Sequence, residues 1–530
     1  MRRQRAQGAG LKRLLALLSL AALAACTMVL APEQNTPKLS PPADQGALPP
    51  PAPREFRAAW VATVANIDWP SQSGLPVAKQ QAEIRAILDQ AQRLKLNAIV
   101  LQVRPSADAI YPSALEPWSE YLNGAQGQPP EPFYDPLALW IAQAHQRGIQ
   151  LHAWINPYRA RHSSARSPVA ATHISRTHPE AVKVYGDMLW MDPAEPAART
   201  QTLDVVADLV QRYDLDGVHI DDYFYPYPIA APTGLDAALA SSAELDFPDN
   251  PAWSRYLAGG GRLTRADWRR EQVNQLIEAL YGRVHQIKPW VLFGISPFGL
   301  GRPDHRAPGI AGFSQFDSLY ADAETWLAKG WLDYLAPQLY WPIEQKPQAF
   351  ATLLESWAKE NTLDRHLWPG LFTSRIDATA KSWQPEEILR QIELTRSAAG
   401  ASGHIHFSMA ALLQNRKGIS DRLQAQTYPS AALVPASPWL EPDAPGAPSL
   451  RLDPKAQAIV VQPAAGKDTP LYAVWKRFDS GWRFFTLPST QTRIEIGRDP
   501  AWGHVSAVEV SAMDRVGNES PHVLMQLSPP

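Results

Sequence analysis

Beyond residue 54 the chain alternates two textures: short apolar runs, and longer stretches in which apolar residues recur at helical spacing. Eight such runs stand out: FRAAWVATVA from Phe56, NAIVLQVRP from Asn97, IQLHAWINPY from Ile149, DGVHIDDYF from Asp216, VLFGISPFG from Val291, DYLAPQLYW from Asp333, LWPGLFTS from Leu367 and GHIHFSMA from Gly403. Between them the spacing predicts helices over 79–94, 137–147, 199–213, 267–287, 322–329, 348–360 and 385–398. Strand and helix in alternation predict a parallel α/β domain, and eight repeats over residues 54–430 predict a TIM (β/α)8 barrel with long insertions. The competing open, doubly wound sheet is disfavoured because no glycine-rich phosphate loop follows the first run.

From Ala444 the helical spacing stops. A linker, PDAPGAPSL, leads into alternating runs AIVVQP, LYAVWKRF, WRFFTL, TRIEIG and VSAVEVSAMD, separated by Gly, Pro and Asp turns. This predicts a small all-β sandwich of fibronectin type III kind over residues 444–530, and SAMDRVGNESP resembles that fold's closing strand and turn. No paired carboxylates there argue for chemistry.

Alternation also assigns faces, because successive strand residues point to opposite sides. In GVHIDD the apolar Val218 and Ile220 belong against the helices, which turns His219 and Asp221 inward and leaves Asp222 one step into the loop. The same parity turns inward Gln102 and Arg104, then His152, Trp154 and Asn156, then Gln338 and Tyr340, and finally His404 and His406. In a barrel the C-terminal strand ends carry catalytic residues. Aromatic residues crowd those ends: Trp60, Tyr111, Trp154, Tyr158, Tyr223, Tyr225, Tyr340 and Trp341. A sugar has apolar C–H faces and a polar rim, so Trp and Tyr with Asp, Asn, Gln and Arg around them suit a glycan.

Cleaving a glycosidic bond usually takes two carboxyl groups, about 5–5.5 Å or about 6.5–9.5 Å apart. Asp221 and Asp222 point to opposite sides of a regular strand, so a partner from another strand is expected. Asp322 and Glu324 are candidates, with Asp68, Asp108 and Glu344 behind them; the alternative role for Asp322 is a helix cap. The reading takes Asp221 as nucleophile or base, Asp222 as its orienting or proton-sharing neighbour and Asp322 as the acid. Trp60, Arg104, Trp154, Asn156, Tyr158, Tyr223, Gln338, Tyr340 and Trp341 are the candidate sugar contacts. No cofactor is required and no metal site is assigned, although convergence of His152, His219, Asp221, His404 and His406 would suit a metal-dependent hydrolase such as a deacetylase. A noncatalytic glycan-binding protein is the remaining alternative.

Composition narrows the partners. Net charge is −2 with no basic block past the N-terminus, which sets nucleic acid aside. The chain has 50 prolines and 19 tryptophans, in keeping with long loops and stacking surfaces. A basic start, MRRQRAQGAGLKR, an apolar run Leu14 to Ala25, and LAAC resemble a bacterial lipoprotein signal over residues 1–26 with Cys26 as the acylated residue. Two or more acyl chains anchor durably. By the same resemblance, Thr27 after the cysteine implies an outer-membrane lipoprotein facing the periplasm. Residues 27–53, rich in Pro and Ala, read as an extended tether.

The strand motifs EFRAAWVATVANIDWP, NAIVLQVRP, HAWINPYR, DGVHIDDYFYPYP, FGISPFG and DYLAPQLYW resemble, in order, those of the bacterial glycosyl-hydrolase-like family ten, over about Arg54 to Tyr428. The resemblance implies a TIM-barrel enzyme, often with a fibronectin-like C-terminal module, exported and commonly lipidated. It further implies a glycoside hydrolase cutting peptidoglycan glycan strands that lack stem peptides during cell division, with division proteins as partners. Asp221 and Asp222 match the family's aspartate motif; Asp322 is a weaker match.

Overall fold

The computed structural model describes residues 48–230 and 244–527. The proposed leader, Cys26 and most of the tether lie outside the described residues. Nine parallel strands form one curled sheet, a half-barrel: β1 Phe56–Val61, β2 Ala98–Arg104, β3 Gln150–Ile155, β4 Gly217–Ile220, β5 Leu292–Ile295, β6 Tyr334–Leu335, β7 His366–Leu367, β8 Gly370–Leu371 and β9 Gly403–His406. Their order across the sheet is β7-β6-β5-β4-β3-β2-β1-β9-β8. The two strands at the ends of that order, β7 and β8, are consecutive in the chain and separated only by Trp368 and Pro369.

The helices fall where the spacing predicts them, shifted by a few residues at their ends: α1 Val77–Arg93, α2 Pro136–His145, α3 Pro196–Arg212, α4 Arg265–Ile287, α5 Ala323–Lys329, α6 Phe350–Glu360 and α7 Pro385–Ser397. Local chemistry sets their starts. Asp135 and Thr264 accept backbone N–H bonds at the starts of α2 and α4, and a proline opens α2, α3 and α7.

Parity splits the sheet as expected on most strands. Ala59, Val61, Ile99, Leu101, Val218 and Ile220 pack against the helices. Phe56, Ala58, Trp60, Ala98, Val100, Trp154, Tyr334, Trp368 and Ile405 fill the inner face. Two glycines make that filling fit: a Cβ on Gly217 would collide with the His152 ring, and one on Gly294 with the Tyr334 ring. Strand β9 departs from the prediction. Ile405 is the inward residue, and His404 and His406 point the other way, where both rings bond the Tyr428 hydroxyl. An antiparallel three-stranded flap not foreseen in the sequence, Arg159–Arg161, Val182–Tyr185 and Met188–Met191, follows β3.

The C-terminal region is all-β. Strands β10 Ser449–Asp453, β11 Ala458–Gln462 and β14 Arg493–Glu495 form one antiparallel sheet, and β12 Leu471–Phe478, β13 Gly481–Pro488, β15 Ala507–Met513 and β16 Val523–Gln526 form another. Ile459, Val461, Tyr472, Val474 and Val510 join the two sheets in one apolar cluster. Arg515 reaches from this region to Asp214 at 3.1 Å and Asp216 at 3.6 Å, beneath the N-terminal edge of β4. A cavity of about 670 Å3 opens at that same edge, between Arg147 and Gly148 on one side and Phe485 and Trp502 on the other.

The last residues of the predicted tether are docked. The Trp475 indole donates to the Pro50 carbonyl at 2.9 Å, and Leu433 N–H to the Pro53 carbonyl at 2.8 Å. Trp475 is 1% exposed and packs with Leu433, Ala473 and Met513. Trp475→Ala is expected to cost about 3–5 kcal/mol, the range for deleting a buried aromatic. Urea unfolding checks this, and a loss below about 1 kcal/mol would mean the site collapses around the gap.

Candidate active site

The last inward residue of β4 is His219, and the chain leaves the sheet at Asp221 and Asp222. Both aspartates are 3% exposed. Asp221 is held from β3 and the residue following it: the Trp154 indole donates to Oδ2 at 2.9 Å, and the Asn156 amide to Oδ1 at 3.1 Å. Burial pushes its carboxyl up to about 7; Asp222 adds to the rise, while Arg159, Trp154 and Asn156 oppose it. Asp222 accepts the Tyr227 hydroxyl and a bond from Gln338, yet burial raises its carboxyl too. Each carboxyl thus has donors of its own, and the two are linked through the charge of Asp222, which raises the Asp221 carboxyl.

Behind the pair stands a strut. Arg104, 0% exposed, holds Glu116 through Nε at 2.8 Å and donates from Nη1 to the Asn156 carbonyl at 2.6 Å. Asn156 Oδ1 in turn accepts Arg159 N–H at 2.7 Å, and the Arg159 guanidinium lies 4.8 Å over the Tyr223 ring. Arg104 therefore positions Asn156, and its described bonds do not run to the cleft.

Beneath the pair the inner face is aromatic and neutral. The Trp60 indole donates to His219 Nε2 at 3.1 Å, and the Tyr334 hydroxyl bridges His219 Nδ1 at 3.1 Å and His152 Nδ1 at 2.9 Å. Burial lowers the His152 imidazole to about 4 and the His219 imidazole well below its ordinary value. These two rings are held uncharged. With His404 and His406 on the far side of β9, the five residues considered as metal ligands do not converge.

One wall is a chain of rings. Tyr340 stacks on Phe372 at 4.9 Å and leans on Phe407 at 5.6 Å. Trp341 meets Phe298 edge-on at 5.5 Å, Phe298 meets Phe313 at 5.0 Å, and Tyr227 stacks on Phe313 at 5.2 Å. Gln338 bonds the Ser296 carbonyl at 3.1 Å below them. The structure thus gathers Trp60, Trp154, Asn156, Tyr223, Gln338, Tyr340 and Trp341 around the aspartates.

Besides Arg104, two predicted residues stand apart. Tyr158 is 0% exposed in the layer between sheet and helices, because β3 ends at Ile155 and the parity does not continue. Asp322 caps α5, accepting Thr325 N–H at 3.3 Å and its hydroxyl at 2.8 Å. Its charge is felt by Arg302 and Glu324. Tyr227, Arg159, Ser296 and Tyr334 were not singled out from the sequence. For Tyr334 and Ser296 the signal was present, since inward parity run back from Gln338 reaches Tyr334 and run forward from Gly294 reaches Ser296. Tyr227→Phe removes a donor to Asp222, so the Asp222 carboxyl is expected to rise further. Carboxyl 13C titration reads this directly, and an unmoved Asp222 would refute the Tyr227 contact.

The glycosyl hydrolase-like 10 family profile matches residues 55–386. Glycosyl hydrolase YngK of Bacillus subtilis is 38% identical over 490 residues, covering 88% of this chain and 92% of that protein. Glycosyl hydrolase DigH of Escherichia coli K12 is 31% identical over 423 residues, covering 73% of this chain and 91% of that protein. Among solved structures, the catalytic domain of a Paenibacillus polymyxa β-amylase aligns with a TM-score of 0.47 at 11% identity, covering 71% of this chain and 99% of that one. The profile's segment takes in strands β1 to β8 of the curled sheet and the buried aspartate pair, and the chain belongs to the glycosyl hydrolase-like 10 family.

Proposed function

We propose that this protein is a glycoside hydrolase of the cell envelope that cuts peptidoglycan glycan strands lacking stem peptides, as a lipoprotein anchored through Cys26 on the periplasmic face of the outer membrane. The observation that carries the proposal is the buried aspartate pair, both of whose carboxyls burial raises, set against a wall of rings. A carboxyl raised by burial is what protonating a glycosidic oxygen requires. The rings offer stacking faces for sugar. The substrate and its role in cell division follow from the resemblance of the strand motifs, and the anchor from LAAC ahead of the tether.

In this reading the half-barrel is a closed (β/α)8 barrel. Its support is that β7 bonds β6 while β8 bonds β9, although the two are halves of one segment, residues 366–371. The C-terminal region, seven strands in two sheets around one cluster, is read as a fibronectin type III-like module.

The test is to incubate protein lacking residues 1–26 with peptide-free glycan strands and with intact sacculi, beside an Asp221→Asn control. New reducing ends from the peptide-free strands, absent in the control, are expected. No products from either substrate would replace this reading with that of a glycan-binding protein.

A further inference from the structure

A glycosidase of the common two-carboxylate kind sets those groups on opposite sides of the scissile bond. Here Asp221 and Asp222 leave one strand end together. Among the described residues, the other carboxylates near the strand ends are committed elsewhere. Asp68 accepts Ala62 N–H at 2.8 Å, the Ser408 hydroxyl at 2.7 Å and Ala410 N–H at 2.7 Å. Glu116 holds Arg104, Glu324 takes the Arg302 amide, Glu344 pairs with Arg390 at the surface, and Asp322 caps α5. Asp108 is 1% exposed, closed in by Ser106 and Ser119. The pair therefore leaves one strand end together, and each of the other carboxylates named already has a partner of its own.

We infer that the substrate supplies the nucleophile: the carbonyl oxygen of a 2-acetamido group attacks its own anomeric carbon, with Asp221 holding the acetamide N–H and Asp222 moving the proton at the glycosidic oxygen. This rests on the glycosidase reading above and narrows it to sugars with a 2-acetamido group on the cleaved unit. The roles follow from position. Asp221 lies directly over the floor of Trp60, Trp154 and His219, where an acetamide methyl finds ring faces, and both its oxygens already accept N–H donors. That makes it an oriented acceptor. Asp222 sits one residue further out, at the Tyr227 hydroxyl, and Tyr340 is close enough to feel its charge.

The chemistry balances in two steps. A C1–O bond forms from the acetamide oxygen as the bond from C1 to the leaving oxygen breaks, and the Asp222 proton goes to that oxygen. The resulting oxazolinium keeps its N–H on Asp221. Water then attacks C1 and gives its proton to Asp222, and the acetamide oxygen departs. The configuration at C1 is retained.

The experiment compares peptide-free strands bearing native acetyl groups with the same strands re-acylated with trifluoroacetyl groups, which are similar in size but weak as nucleophiles. An intramolecular nucleophile contributes a large rate factor, so the trifluoroacetyl strands are expected to be cut at least about 100-fold more slowly with the anomeric configuration retained. Equal rates on both strands, or inversion at C1, would overturn the inference while leaving the glycosidase reading intact. No cleavage of either strand would overturn the glycosidase reading itself.

Discussion

Asp221→Asn is expected to lose activity by about 1,000-fold or more while making the folded protein more stable at pH 8. The two effects share one cause. Burial holds the Asp221 carboxyl at about 7, far above the value of 3.8 it has in an unfolded chain. Between those two pH values the folded protein binds a proton that the unfolded chain has released, so this group's contribution to stability falls as pH rises through the window. Above pH 7 the loss is complete, at roughly 4 kcal/mol. Asparagine carries no charge to bury and still offers Trp154 an acceptor. Melting curves at pH 4 and pH 8 check the claim: the variant should gain on the wild type at pH 8 and not at pH 4. A variant less stable than wild type at pH 8 would mean that the carboxylate is better accommodated than its burial implies.

Glu116→Gln is the second large effect, and Glu116 lies behind the strut rather than in the cleft. The Arg104 and Glu116 side chains are 0% and 1% exposed, so removing the acid strands a buried guanidinium. Breaking a buried pair in this way costs about 3–5 kcal/mol. The loss also reaches the aspartates, because Arg104 holds the Asn156 carbonyl and Asn156 holds Asp221. Denaturant unfolding reads the first effect and turnover of peptide-free strands reads the second. Replacing both partners by methionine separates them: with no charge left unpaired, stability should recover, while turnover should stay low because Asn156 has lost its support. Recovery of both would show that Arg104 is a packing element only.

The sequence made the sheet readable because one periodicity governs most of it. Alternating apolar residues on β1 to β4 sort onto the helix side, and the predicted helices match to within a few residues. The inward assignment of His404 and His406 failed because it took polar for inward. On β9 the outer side is itself polar, with Tyr428 as a partner for both rings, and Ile405 completes the inner cluster. At the site, Asp221, Trp154 and Asn156 were legible by parity alone. Arg104 was found but not its task, since its counter-charge lies in a loop twelve residues on. Asp322 illustrates a different limit: a carboxylate that caps a helix and one that moves a proton are the same letter. Tyr227 depends on how the loop after β4 turns back, which no period encodes.

The docking of Pro50 on Trp475 and of Pro53 on Leu433 has a mechanical consequence. The chain enters at the edge where the parallel strands begin, and six residues of β1 at about 3.3 Å each put roughly 20 Å between that entry and the rim bearing Asp221. Any bead, surface or leash fastened upstream of Pro49 pulls on the back of the molecule and leaves its working end facing outward. With the anchor and the substrate proposed above, leash length would decide which glycan strands are within reach.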